Sequence, residues 1–210
     1  MEKLKSSMTN MVLVLTGVAV ITGCILAYVN HITSGPIEVQ KAKTLADGIK
    51  SVMGTDELSV SKTDTVKQDE NGKELTYVIY QTQDGQNKDL GAAVESTTNG
   101  FGGDLKILVG FDPEGKILGY TLLEHAETPG LGAKADKWFQ KGEKGDIIGK
   151  SPEKQLTVTK DGGEVDAITA STITSRAFLK AVNNAYAAFK ATPIDEVEVT
   201  DSLQLNDEEE

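Results

Sequence analysis

Five hydroxyl side chains, Thr169, Ser171, Thr172, Thr174 and Ser175, fall within seven residues of the chain, shortly after Asp166. They stand where an extended run gives way to a helical pattern. Such a junction suits a phosphate, because the first turn of a helix carries free backbone N–H groups and the positive end of its dipole, and the small Ala170 lets an anion approach. The same residue types are also preferred helix caps, so a purely structural role stands beside the phosphate-binding one. A second group, His125 to Gly132, brings a histidine, Glu127 and Thr128 to a Pro129-Gly130 turn after a β-prone run. Hydrolytic chemistry is disfavoured, since His31 and His125 are the only histidines and hydroxyl richness without a placed base is not a triad. Cys24 is the only cysteine, which removes internal disulfides and cysteine-based zinc or iron–sulfur sites. Redox work by this chain would need an organic cofactor.

Asp166-x-x-Thr169-Ala170-Ser171-Thr172 resembles the Asp-x-x-Ser/Thr-Gly-Ala-Thr flavinylation motif of FMN-binding domains, with Ala170 for the usual glycine and Ser171 for the usual alanine. His125-Ala126-Glu127-Thr128-Pro129-Gly130-Leu131-Gly132 resembles a motif of the G subunits of the Rnf (Rsx) ion-translocating oxidoreductase complexes and of the related C subunits of the sodium-pumping NADH:quinone reductases. The resemblance extends over nearly the whole chain, and the Rnf G subunits are the better match because the chain is compact and lacks longer insertions. It implies FMN covalently attached as a phosphoester on Thr172, by a separate flavin transferase that Asp166 helps to engage. Thr169, Ala170 and Ser171 complete that cofactor-binding segment, while Glu127, Thr128, Leu131 and Gly132 would line the flavin pocket with Leu131 against the ring. Asn99 to Asp104 resembles the family's Gly-aromatic-Gly-Gly stretch but also reads as an ordinary loop, so neither Phe101 nor His125 is assigned a role.

The function so implied is electron carriage inside a membrane complex that couples ferredoxin:NAD electron transfer to sodium or proton translocation. Other integral-membrane subunits would be its partners, and this chain alone would catalyse no net reaction. Two alternatives remain open from the residues: a free-standing extracytoplasmic flavin reductase, and an anchored, non-redox binding module in which Thr172 is merely a cap.

The elements that must position these residues follow from periodicity. Residues 74–81 and 90–96 are β-prone runs around Asp84-Gly85-Gln86-Asn87, and 105–111 with 117–124 repeat the arrangement around Asp112-Pro113-Glu114-Gly115. Two hairpins of a mostly antiparallel sheet are expected. A short helix is expected at 133–141, a strand at 155–160, and a final helix at 172–191 with Phe178, Val182, Ala185 and Phe189 on the face that packs on the sheet. The fold class is therefore α+β.

Ahead of this domain, residues 8–29 form an uncharged run of 22, which as a helix would cross the ~30 Å hydrocarbon core. Lys3 and Lys5 precede it, so the basic-residue bias puts residues 1–7 in the cytoplasm and the main domain outside. Ile21-Thr22-Gly23-Cys24 fits a loose lipoprotein cleavage pattern, but the apolar run continues to Val29, too long for a signal core, and an uncleaved single-pass anchor in the cytoplasmic (inner) membrane is favoured. Ala19, Gly23 and Ala27 share one helix face, suggesting close packing with another membrane helix. The organisation expected is a membrane span at 8–29, a linker helix at 30–53 beginning near Pro36, an extracytoplasmic FMN-binding domain at 54–195, and a disordered acidic tail at 196–210. The formal charge of −11 argues against a nucleic-acid partner, and no metal site is expected.

Overall fold

The computed structural model describes residues 8–70 and 73–191; the expected acidic tail at 196–210 lies outside the described residues. Two compact units are distinguished, Met1–Leu45 and Ala46–Glu210. The first consists, where described, of one helix. That helix, α1 (Met8–Met53), runs on into the second unit without interruption, so Pro36 does not begin a linker helix but lies inside a continuous one. Proline costs an interior helix one hydrogen bond and crowds the preceding turn. Here the helix nevertheless continues through it. Every residue from Met8 to Lys43 is exposed, with apolar side chains such as Leu13, Leu15 and Ile21 more than half exposed, and the helix is long and apolar enough to cross a membrane.

The second unit is built on a five-stranded antiparallel meander, in order β1 (Ser59–Glu70), β2 (Lys73–Gln83), β3 (Asp89–Asn99), β4 (Asp104–Phe111) and β5 (Ile117–His125). Both expected hairpins are present. At the second, Gly115 donates its N–H to the Asp112 carbonyl (2.9 Å) with φ 87°, the positive-φ turn position for which glycine is suited. At the first, the Asp84 carboxylate accepts the N–H groups of Gln86 and Lys88, and these bonds hold its pKa below the ordinary carboxylate value. β1 was not anticipated. Its residues Lys62, Thr63, Asp64 and Thr65 lack a clean apolar alternation because β1 is a sheet edge, paired only with β2.

Helix α3 (Thr172–Ala191) covers one face of this sheet, as its apolar stripe requires: Phe178, Val182 and Ala185 are fully buried against Leu105, Ile107, Val109 and Phe111. Phe178 stacks on Phe139 (4.3 Å between centroids) and meets the edge of Tyr120 (4.8 Å), whose hydroxyl donates to the Ala135 carbonyl at 2.7 Å. Burial pushes the Tyr120 phenol well above its usual pKa. On the other face lies the last turn of α1. There Gly110 and Gly119 admit the Val52 backbone so closely that a Cβ at either position would overlap its carbonyl oxygen.

Two expectations change in the segment between β5 and α3. The helix expected at 133–141 is a 3-10 turn, Gly132–Lys134, followed by a single α-turn, α2 (Ala135–Trp138). The strand expected at 155–160 does not form. Asn183 of α3 instead satisfies this backbone, its Oδ1 accepting the Leu156 N–H and its Nδ2 donating to the Leu156 carbonyl, both at 2.9 Å. A side-chain amide thus replaces a strand partner, and Thr159–Asp161 closes into a 3-10 turn.

Candidate functional site

Three segments converge at one end of the sheet: the loop from β3 to β4, the turn after β5, and the first turn of α3. Glu127 joins them. Its side chain is buried, with Oε1 accepting the Phe101 N–H at 2.6 Å and Oε2 accepting the Thr174 hydroxyl at 2.8 Å. The Gly102 N–H lies at 3.4 Å from the same Oε1. Both side-chain oxygens thus have donors, as a buried polar group requires. The glycine loop can approach so closely only because it lacks side chains, as a Cβ on Gly100 would overlap the Glu127 carboxylate and one on Gly102 the Ala126 carbonyl.

Above this joint opens a cleft of about 350 Å³. Glu127, Thr128, Leu131, Gly132, Ala170, Ser171 and Thr172 line it, so seven of the nine residues expected at the site are brought together. Asp166 and Thr169 are not among the lining residues; both are exposed on the approach to α3. Phe101, Ile173 and Thr174 complete the lining and were not assigned from the sequence. Phe101 is 67% exposed, Ile173 54% and Leu131 42%, which gives the cleft an apolar rim whose side chains have no covering protein of their own. The signal for Phe101 lay in the glycines on either side of it, spaced for close backbone approach to another segment. His125 turns back on its own chain, its Nδ1 accepting the Glu127 N–H at 3.3 Å.

The phosphate-suited junction takes its form from Ala170, whose φ of 61° is left-handed and turns the chain from its extended approach into α3. The Ser175 hydroxyl braces that turn by donating to the Ser171 carbonyl and accepting the Ile168 N–H, each at 2.9 Å. Ser175 is therefore structural. Thr172 opens α3, partly exposed, and its Oγ1 accepts a hydrogen bond from Lys160 Nζ at 3.2 Å. Lys160 belongs to the 3-10 turn Thr159–Asp161, whose other residues also reach the same segment: Thr159 donates to the Asp166 carboxylate at 3.3 Å, and Asp161 receives both Arg176 Nε (2.7 Å) and Nη2 (2.6 Å). The guanidinium holds the Asp161 carboxyl below its usual pKa and is itself raised by the pairing. This turn was missed from the sequence because the segment was expected to be a strand.

The arrangement fits an FMN-sized group. Its volume lies within the usual range of ligand pockets, ~300–1,000 Å³; the rim offers apolar contact for a flat ring, and the hydroxyl of Thr172 stands at a helix start where phosphate is favoured. Among the described residues no cluster of histidine, cysteine or carboxylate side chains could hold a metal ion.

Residues 100–187 match the model of the FMN-binding domain family. The chain is 34% identical to the G subunit of the ion-translocating oxidoreductase complex of Shewanella baltica over 80% of its own length and 82% of that protein's. It is 33% identical to the G subunit of the proton-translocating ferredoxin:NAD(+) oxidoreductase complex of Clostridium ljungdahlii (81% and 85% covered), and 33% identical to the Na(+)-translocating counterpart of Acetobacterium woodii (81% and 86%). In fold it is similar to the crystal structure of Shewanella oneidensis NqrC, with a TM-score of 0.51, 16% identity and coverage of 73% of this chain and 100% of that one. The C subunit of the Na(+)-translocating NADH-quinone reductase from Parabacteroides distasonis is equally similar, with a TM-score of 0.51, 20% identity and 75% and 96% covered.

Proposed function

This chain belongs to the family of G subunits of ion-translocating oxidoreductase complexes, and from that premise we propose that it is the membrane-anchored electron carrier of such a complex, with FMN joined through its phosphate to Thr172. One observation carries the reading: the helix-opening Thr172 lies in the wall of the same cleft as the apolar rim, within a segment that matches the FMN-binding family. FMN held there would supply reversible electron transfer at a potential set by its surroundings.

The chain's own residues have distinct tasks in this reading. Leu131, Phe101 and Ile173 give the ring apolar contact and exclude water from it, while Thr128 and the backbone near Gly132 offer polar contact at its edge. The first turn of α3 directs its N–H groups toward the phosphate, and the ester to Thr172 keeps the cofactor from being lost outside the cytoplasm. A flavin transferase is required for that bond, with Asp166 helping it to engage. The partners are the other integral-membrane subunits, met through the span at residues 8–29 and its Ala19, Gly23 and Ala27 face. Relatives are named for both proton and sodium translocation, so the coupled ion is either of these.

Intact mass and peptide mapping of protein purified from its native membrane test the proposal, together with in-gel flavin fluorescence after denaturation. The expected result is an FMN adduct on the peptide holding Thr172, abolished in Thr172→Ala. Native protein with Thr172 unmodified would sink the covalent reading.

A further inference from the structure

Thr159, Lys160 and Asp161 are consecutive, and each engages a different residue of the 166–176 segment. We propose that this turn is a strap whose purpose is to present Lys160, which acts as the positioning residue for Thr172: its ammonium orients the hydroxyl for modification and then neutralises the phosphodiester. The inference rests on the covalent reading above. It adds to it a residue outside the modification motif.

Geometry supports a presented rather than a wandering lysine. Asp161 is pinned to α3 by two bonds from Arg176, at 2.6 and 2.7 Å, and Thr159 is held by its side chain to Asp166 and by its N–H to the Val165 carbonyl at 2.9 Å. The Val165 N–H in turn reaches the Thr157 carbonyl at 3.2 Å, closing the loop that carries the strap. Lys160 therefore projects from a turn fixed on both sides. Arg176, the neighbouring cation, is already engaged by Asp161, which leaves Lys160 as the positive group directed at Thr172 Oγ1.

The chemistry follows from the donor inventory. A lysine ammonium can only donate, so its bond to Oγ1 uses an oxygen lone pair and leaves the O–H of Thr172 free to be given up. Ester formation from an alcohol requires an activated phosphate, here a flavin phosphoanhydride such as FAD. As the Oγ–P bond forms, the anhydride P–O bond breaks, the hydroxyl proton passes to a base on the transferase, and the second nucleotide leaves as its monophosphate. No electrons are transferred. Negative charge gathers at the phosphorus oxygens during the step and remains as the phosphodiester anion, and a cation 3.2 Å from the attacking oxygen favours both. Because Lys160 is exposed, the same contact adds little to folding stability, so its loss need not disturb the domain.

The test uses the purified full-length chain in detergent with a flavin transferase and FAD, following the initial rate of adduct formation by in-gel fluorescence and intact mass. Lys160→Met should slow the rate by about tenfold or more with the thermal midpoint unchanged, and Lys160→Arg should restore it to within about threefold of wild type. A Lys160→Met chain modified at the wild-type rate would overturn the inference, as would an arginine variant no faster than the methionine one. If the wild-type chain took no flavin on Thr172, the covalent reading itself would fail and this inference with it. A modified wild type with an indifferent Lys160→Met removes only the role of Lys160.

Discussion

Glu127 occupies the floor of the cleft with both carboxylate oxygens already engaged, which makes it a structural joint between loop and helix more than a free acceptor for a ligand. Glu127→Ala would leave the part-buried Phe101 N–H and the buried Thr174 hydroxyl without their partner, at a cost of about 1–3 kcal/mol. A melting curve of the variant should shift accordingly, and an unshifted midpoint would contradict the role of Glu127 as the joint. Ala170 presents the reverse case, a residue whose replacement should help. Its left-handed φ of 61° is unfavourable for any side chain with a Cβ, and the flavinylation motif that this segment resembles has glycine here. The strain relieved in Ala170→Gly exceeds the extra unfolded-state entropy of glycine, so the variant should gain about 0.5–1 kcal/mol in denaturant unfolding. A loss of stability would mean that the turn is held by contacts of the methyl group instead.

At the scale of elements, the sheet domain depends on two helices that approach opposite faces of one sheet by different means. α3 does so with large side chains, Phe178 above all, as its 3.6-residue apolar period requires. The end of α1 does so by backbone proximity, the Val52 carbonyl resting over Gly110 and Gly119. Gly110→Val should therefore push the last turn of α1 off β4 and destabilise the domain by about 1–3 kcal/mol, measurable as a lowered urea midpoint. An unaffected midpoint would show that α1 does not brace the sheet. The final helix, the apolar span and both hairpins were legible because apolar period and turn residues agree locally. β1 was not, since an edge strand needs no apolar alternation, and neither was the turn at Thr159–Asp161, which is held from the 165–176 segment by Val165, Asp166 and Arg176.

For the whole molecule, the proposed topology places residues 1–7 in the cytoplasm and the sheet domain outside, on the strength of Lys3 and Lys5 before the span. The native sequence makes this readily testable, since Cys24 is its only cysteine and falls within residues 8–29. Gln86→Cys, exposed in the first hairpin turn, should react with a membrane-impermeant maleimide added to intact cells, while the parent chain with Cys24 alone should not. Labelling of the Gln86→Cys chain only after the cells are opened would reverse the orientation.

The sequence by itself determined the α+β class, the apolar span, the antiparallel hairpins, the final helix and the segment around Thr172, because each depends on interactions among residues near in the chain: periodicity, turn chemistry and a run of hydroxyls. Only the tertiary structure decided that Phe101, Ile173 and Thr174 share a cleft with Leu131 and Thr172, that Glu127 is engaged by both the β3–β4 loop and α3, and that Lys160 reaches Thr172. Those contacts join segments separated by 12 to 47 residues. Their formation depends on the register of the sheet and the docking of α3, which bring distant backbone within hydrogen-bonding distance, and no local pattern encodes that distance.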